Sequence, residues 1–293
     1  MRIVKSALLS LAALAARLLP MPVKRAIYRL GPLARLLRAG LNQAAPRGKT
    51  PVRVAAGGLS GMELELDLQA EKDYWLGTYE PELQQAVQEL VAPGMVAYDV
   101  GANIGYISLL LARHVGEKGQ VFAFEALPDN VARLRANISR NGLQTRVSVC
   151  AGAVIDTART VRFLIGPSGG MGKAEGSSGR EEVHYPGEVS VTGLSLDEFV
   201  YDRGNPAPQV LKMDIEGGEV LAVKGMHRLL REARPLLLIE LHGPQAAHAV
   251  WEAAREAGYR LCRMQPGFPP VTRVEDLDWK AYVVGFGEEA AKT

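Results

Sequence analysis

Residues 95–115 read MVAYDVGANIGYISLLLARHV, and this stretch decides the fold. Val96–Val100 is apolar except for Asp99, as a strand buried on both faces would be. Gly101-Ala102-Asn103-Ile104-Gly105 follows as a turn. Ile107, Leu110, Leu111 and Val115 then recur close to the helical period. Gly101 and Gly105 accept positive φ and let backbone amides approach a ligand. A turn of this kind lies off the carboxyl end of its strand, where open α/β sheets hold ligands.

The pattern is D-x-G-x-N-x-G, not the G-x-G-x-x-G of a dinucleotide site: Asn103 and Tyr106 stand at the second and third glycine positions. A carboxylate two residues before the first glycine repels a pyrophosphate and suits a ligand with an ammonium group. S-adenosylmethionine carries an ammonium and a sulfonium and no phosphate. Glu125 ends the next apolar run, Val121–Phe124, where an acid accepts hydrogen bonds from ribose hydroxyls. Glu125 fits either nucleotide class, so Asp99 and Asn103 make the choice. An ordinary α/β turn with a capping Asp is the plainer alternative.

Further along, DVGANIGYIS, FEALPDN, RANISRNG and LKMDIEGGEVLAVKGM, followed by IELHG, resemble in order and spacing the FkbM family of S-adenosylmethionine-dependent methyltransferases. The resemblance covers about residues 74–242, and K-M-D-I-E-G-x-E is its most specific part. It implies a class I methyltransferase (Rossmann-like) fold: a mostly parallel, seven-stranded α/β sheet with helices on both faces and an antiparallel edge hairpin. It also implies methyl transfer to oxygen. Asp99, Gly101, Asn103, Gly105, Glu125 and Ala126 would hold the cofactor.

Downstream, Pro128 to about Arg140 reads as a helix and Arg146–Cys150 as the third strand. The small residues Ala151-Gly152-Ala153 would admit an adenine ring. Val161–Ile165 and Glu188–Val191 read as an inserted hairpin or small antiparallel piece. The glycine-rich stretch 166–180 between them is either a lid or, as we favour, a tolerated surface insertion. Ser195–Tyr201 is a short helix before Gln209–Asp214, the fourth strand, and a single helix spans Ile215–Arg231. Lys212 inside that strand needs a partner, and strand alternation offers Asp214 on the same face. Pro235–Leu241 is the fifth strand. Tyr259–Met264 and Ala281–Phe286 complete the sheet, with Trp251 and Trp279 assigned to the core.

The candidate catalytic groups gather at the ends of the fourth and fifth strands: Asp214, Glu216, Glu240 and His242. An alcohol is a poor nucleophile at neutral pH, and a positioned base contributes roughly 10²–10⁴ in rate. His242 or Asp214 is the favoured base. The helix dipole is a sufficient structural reason for Glu216 and Glu219. A divalent cation held by these residues would activate the hydroxyl instead, although no ligand spacing establishes a metal site, and the sequence assigns no metal ligands.

The 293 residues carry a net charge of +2, which hides an asymmetry. Residues 1–62 hold eleven Lys or Arg and no acid, leaving 23 basic against 32 acidic residues in the remainder. Three segments are expected: a basic amphipathic extension over 1–45, strands and a helix covering the site over 46–92, and the S-adenosylmethionine-binding domain over 93–293. The extension, leucine-rich at Leu8, Leu9, Leu11, Leu14, Leu18 and Leu19, reads as a helical membrane-surface contact through residues 1–40. Packing on the core and a signal peptide are alternatives. Tyr74, Trp75 and Tyr79 either cover the ligand pocket or plug a helix at about Glu82–Val91 onto the sheet. Cys150 and Cys262 sit in apolar runs and read as buried thiols of a reducing compartment. The expected location is cytoplasmic, peripheral on the inner membrane face. The acceptor would be a hydroxyl of a sugar, glycolipid or secondary metabolite. The basic segment lacks an aromatic stacking platform, which speaks against nucleic acid. The alternatives are an NAD(P)-dependent oxidoreductase and an inactive, membrane-associated methyltransferase-like protein.

Overall fold

The computed structural model describes residues 2–20, 23–24, 26–27, 30–166, 172–180 and 182–287. Part of the basic extension and of the glycine-rich stretch 166–180 therefore lies outside the described residues. The chain forms two compact units, residues 1–84 with 139–141, and residues 85–138 with 142–293.

The first unit begins with helices α1 (Arg2–Leu18) and α2 (Gly31–Ala44). Strands β1 (Lys49–Arg53) and β2 (Glu63–Asp67) pair antiparallel. In β2, Leu64 and Leu66 point inward and the acids between them outward, as the alternation of MELELDL predicts. The short α3 (Lys72–Leu76) buries Trp75, and the rings of Tyr74 and Tyr79 lie 4.3 Å apart. Helix α4 (Pro81–Leu90) begins in the first unit and continues into the second. Leu11, Leu14 and Leu18 of α1 and Leu36 and Leu37 of α2 are exposed. No helix among the described residues is long and apolar enough to cross a membrane.

The second unit contains β3 (Val96–Val100), α5 (Tyr106–Val115), β4 (Gln120–Glu125), α6 (Pro128–Arg140) and β5 (Val147–Ala151). An insertion supplies β6 (Ala153–Val154), β7 (Arg159–Ile165), β8 (Gly172–Ala174) and β9 (Gly187–Leu194). The main sheet then continues with β10 (Val210–Met213), α7 (Glu219–Ala222), α8 (His227–Glu232) and β11 (Leu236–His242). Helix α9 (Pro244–Glu256), β12 (Tyr259–Arg263) and β13 (Lys280–Gly287) end it.

The seven strands are ordered β12-β13-β11-β10-β3-β4-β5. The five from β5 to β11 are parallel, and β13 runs antiparallel to β11 and β12. This is the mostly parallel sheet with an antiparallel edge hairpin that the sequence predicts. Its central strands read as continuous apolar runs because both faces are covered.

Two expectations are refined. The small antiparallel piece is a four-stranded sheet, β6-β9-β7-β8, whose β7 and β9 pair antiparallel as read and whose β6 pairs parallel to β9. β8 comes from the glycine-rich stretch and has no apolar pattern to announce it. It pairs with the edge of β7, where a side chain on Gly172 would strike Phe163. The helix expected over Ile215–Arg231 is likewise broken into α7, a 3₁₀ turn at Val223–Gly225 and α8. Gly225 presses on the backbone of Ile155, where a Cβ would lie 2.3 Å from the carbonyl oxygen. The chain bends to allow that approach.

Candidate active site

The strand register lines up the predicted residues. Val100 pairs with Phe124 of β4 and with Met213 of β10, and Met213 pairs with Ile239 of β11. The next residues, Glu125, Gly101, Asp214 and Glu240, therefore stand in one row along the carboxyl edge. With strands about 4.8 Å apart, the row runs about 14 Å.

At one end lies the glycine turn. Gly101 and Gly105 have φ of 78° and 94°, and Asn103 also adopts a left-handed φ of 50°. A Cβ on Gly101 would sit 1.9 Å from the Asp214 carbonyl oxygen, so the turn presses against the end of β10. Glu125 is 7% exposed. It accepts hydrogen bonds from the backbone N–H groups of Asn103 and Leu127, both at 2.8 Å, and from the Asn130 amide at 3.4 Å. Burial pushes its pKa up against these donors. Ala126 is half-buried beside the inserted sheet.

Asp99 lies beneath the turn, fully buried. Lys212 Nζ is 3.0 Å from its Oδ1, and Ser108 Oγ donates to its Oδ2 at 2.6 Å. Lys212 also donates to the Gly101 carbonyl at 2.8 Å. The buried lysine thus pairs with Asp99, not with Asp214 as strand alternation suggests. Lys212 and Asp99 are directly opposite each other in the β10–β3 register. Gly152 has a packing reason as well: its Cβ would meet the Thr192 carbonyl oxygen at 2.6 Å.

At the other end of the row, four carboxylates surround His242. Its Nδ1 is 3.0 Å from Glu219 Oε1, and both side chains are buried. Its Nε2 is 3.2 Å from Glu240 Oε1, 3.7 Å from Asp214 Oδ1 and 3.8 Å from Glu216 Oε2. Lys280 also forms an ion pair with Glu240. Burial by itself would lower the His242 pKa, but Glu219, Glu240 and Asp214 outweigh it and raise it to about 11. Burial and the Glu240 charge raise Asp214 to about 6. Burial would raise Glu240 too, yet His242 and Lys280 hold it at about 2. Glu216 occupies a left-handed φ of 53°, in the turn between β10 and α7. Non-glycine residues held there carry strain, which collects at functional sites.

The wall of this cluster was not legible in the sequence. Trp279, assigned to the core, is 38% exposed and stands edge-on to His242 with ring centroids 6.1 Å apart. The Arg180 guanidinium lies 4.7 Å from the Trp279 ring. The described part of the glycine-rich stretch is also no free surface insertion. Ser178 donates from its backbone N–H and its Oγ to the Gly217 carbonyl, at 2.9 and 3.1 Å. The stretch therefore borders the turn that carries Glu216. A tryptophan beside a strand start and an arginine in a glycine-rich stretch give no local signal of this meeting.

Comparison with known proteins gives a consistent picture. A family model described as the Methyltransferase FkbM domain matches residues 99–261. The hexuronic acid methyltransferase AglP of Haloferax volcanii is 32% identical over 151 residues, covering 50% of this chain and 56% of AglP. The 31-O-demethyl-FK506 methyltransferase FkbM of Streptomyces tacrolimicus is 30% identical over 160 residues, covering 46% of this chain and 60% of that protein. The chain thus spans just over half the length of these curated relatives. The crystal structure of a methyltransferase FkbM from Methylobacillus flagellatus KT superposes on 75% of this chain and 53% of its own, with 19% identity and a TM-score of 0.43.

Proposed function

Because this chain belongs to the FkbM methyltransferase family, we propose that it transfers a methyl group from S-adenosylmethionine to a hydroxyl of a sugar, free or within a glycolipid. The observation that carries the reading is the row Glu125, Gly101, Asp214, Glu240 on neighbouring strands. It puts Glu125, which we assign to the cofactor ribose, about 14 Å from Glu240 of the acid–imidazole cluster, a span suited to a nucleoside and its amino-acid arm.

The residues fit the cofactor. A carboxylate offers about four lone-pair sites, and three donors already fix Glu125 in place for a ribose. The turn of Gly101, Asn103 and Gly105 would hold the amino-acid end, with Ala126 beside the nucleoside. Asp99 would act from below, through Lys212 and the Gly101 carbonyl. When bound, the cofactor supplies an electrophilic methyl group on a sulfonium.

The chain's own residues manage the acceptor. The hydroxyl oxygen forms its new bond to the methyl carbon as the carbon–sulfur bond breaks, and the electron pair of that bond stays on sulfur. The hydroxyl proton must leave, and Glu216 is placed to accept it, being 31% exposed beside the buried His242. His242 already holds its proton between Glu219 and Glu240 and serves to position them. The indole of Trp279 offers a flat apolar face to a sugar ring. AglP, a relative, is named for a hexuronic acid, and Arg180 would suit an acidic sugar. The exposed leucines of α1 and α2 support contact with a membrane surface, where a glycolipid acceptor would be presented.

The test is transfer of labelled methyl to a panel of saccharides, uronic acids and glycolipids. Label recovered as an O-methyl ether on a sugar is the expected result. Label only on polyketide or other non-sugar hydroxyls would overturn the acceptor class, and cofactor binding without transfer to any member would favour an inactive protein.

A further inference from the structure

We propose that Asp214, Glu240 and His242 form a binding site for a divalent cation of the Mn²⁺ or Mg²⁺ type. Its use in holding the acceptor oxygen rests on the methyl-transfer reading, whereas the site itself rests on geometry. One ligand atom from each of the three residues lies within 4.8 Å of the others. From His242 Nε2, Glu240 Oε1 is 3.2 Å away and Asp214 Oδ1 is 3.7 Å away. With metal–ligand bonds of about 2.0–2.2 Å, neighbouring ligands of one ion lie roughly 3.0–3.5 Å apart. The two distances from His242 Nε2 are thus within a few tenths of an ångström of that range.

Three further features point to a cation. The first is outer-shell support. Glu219, fully buried, holds the His242 Nδ1 hydrogen at 3.0 Å, and a cation arriving at Nε2 would displace to solvent the proton that Nε2 shares with Glu240. Metal-binding histidines are commonly oriented by such a carboxylate. The second is an unsatisfied oxygen. The Glu240 side chain is 2% exposed, and its Oε2 has no hydrogen-bond partner among the described residues. A buried carboxylate oxygen left so is costly, and a cation bound by both oxygens would remove that cost. The third is charge. Asp214, Glu216, Glu219 and Glu240 face one imidazole, with Lys280 on Glu240. Lys280 is 48% exposed, so its ammonium can swing to solvent when a cation arrives.

Two carboxylates and one imidazole favour hard, oxygen-preferring ions over thiophilic ones. Three protein ligands leave coordination positions for water or a hydroxyl. An acceptor oxygen bound there would lose its proton more readily, with Glu216 outside the ligand set to take it.

The experiment is a Mn²⁺ titration of the chelator-treated full chain, read by the loss of the free-ion paramagnetic resonance signal, without methyl donor or acceptor. The expected result is one Mn²⁺ per chain, competed by Mg²⁺. Glu240→Gln and His242→Gln should each abolish binding, and Glu219→Gln should weaken it about 10–100-fold. Melting curves show whether each variant is folded, and a rise in the wild-type Tm with added Mn²⁺ gives a readout that needs no variant. Absence of binding to the wild type at about 1 mM Mn²⁺ would overturn the site, as would binding unchanged in folded Glu240→Gln. Mn²⁺ binding as expected, together with no methyl transfer to the acceptor panel, would leave the site standing and count against the methyl-transfer reading alone.

Discussion

Two buried charge clusters flank the same turn and are built on opposite principles. Beneath it, Asp99, Lys212 and Ser108 close on themselves: one anion, one cation, a hydroxyl donor and the Gly101 carbonyl. Beside it, the carboxylates around His242 outnumber the cations. The balanced cluster needs nothing from outside and behaves as architecture. The overcharged one holds Asp214 ionised only at a cost, as a site awaiting a positive or polar ligand does. Burial alone does not distinguish them, since Asp99, Lys212, Glu219, Glu240 and His242 are all buried. The balance of charge does.

The largest effect should come from breaking the balanced pair. Lys212→Met leaves Asp99 as an uncompensated buried anion and should cost about 3–5 kcal/mol in chemical denaturation. If stability were unchanged, the network would not be architecture. Next in size is the loss of a cofactor contact. Glu125→Gln keeps the shape but weakens the acceptor to the ribose hydroxyls, so calorimetry with S-adenosylhomocysteine should show about tenfold weaker binding, or about 1.4 kcal/mol. The same substitution at Glu240 should leave that affinity within about twofold.

The pH dependence should carry the signature of the overcharged cluster. In chelator-treated protein the His242 value of about 11 lies above the usual 6.5. Its protonated form therefore stabilises the fold fully below about pH 6.5, and this contribution is lost as pH rises toward 11. Glu240, held at about 2, contributes fully above its usual 4.5 and loses the contribution as pH falls toward 2. The contribution of this pair to stability should fall away toward pH 2 as Glu240 takes up its proton and toward pH 11 as His242 gives up its own. His242→Gln should flatten the alkaline limb, and an unchanged limb would contradict the account.

Much of this was written locally in the chain. The strand, glycine turn and helix at 96–115 follow from apolar runs and two glycines, and Glu125, Asp214 and Glu240 could be placed because each lies at or near the carboxyl end of an apolar run. Register was not legible. Lys212 had a plausible partner two residues away, but its actual partner lies 113 positions earlier, brought opposite by the pairing of β10 with β3. Nor could sequence alone bring Arg180 and Trp279 together, because their meeting depends on where the inserted sheet and the β13 approach come to rest. Periodicity reports which way a residue faces. It does not report what stands opposite.

The most direct measurement is the melting temperature of Asp214→Asn against wild type, at pH 8 in chelator. Asp214 is raised to about 6 by burial and by the Glu240 charge, so at that pH its ionised form is held at a cost. The isosteric amide should remove the repulsion and raise Tm by a few degrees, or about 1 kcal/mol. A fall in Tm instead would mean that Asp214 binds the fold together as Asp99 does, and the distinction between the two clusters would be lost.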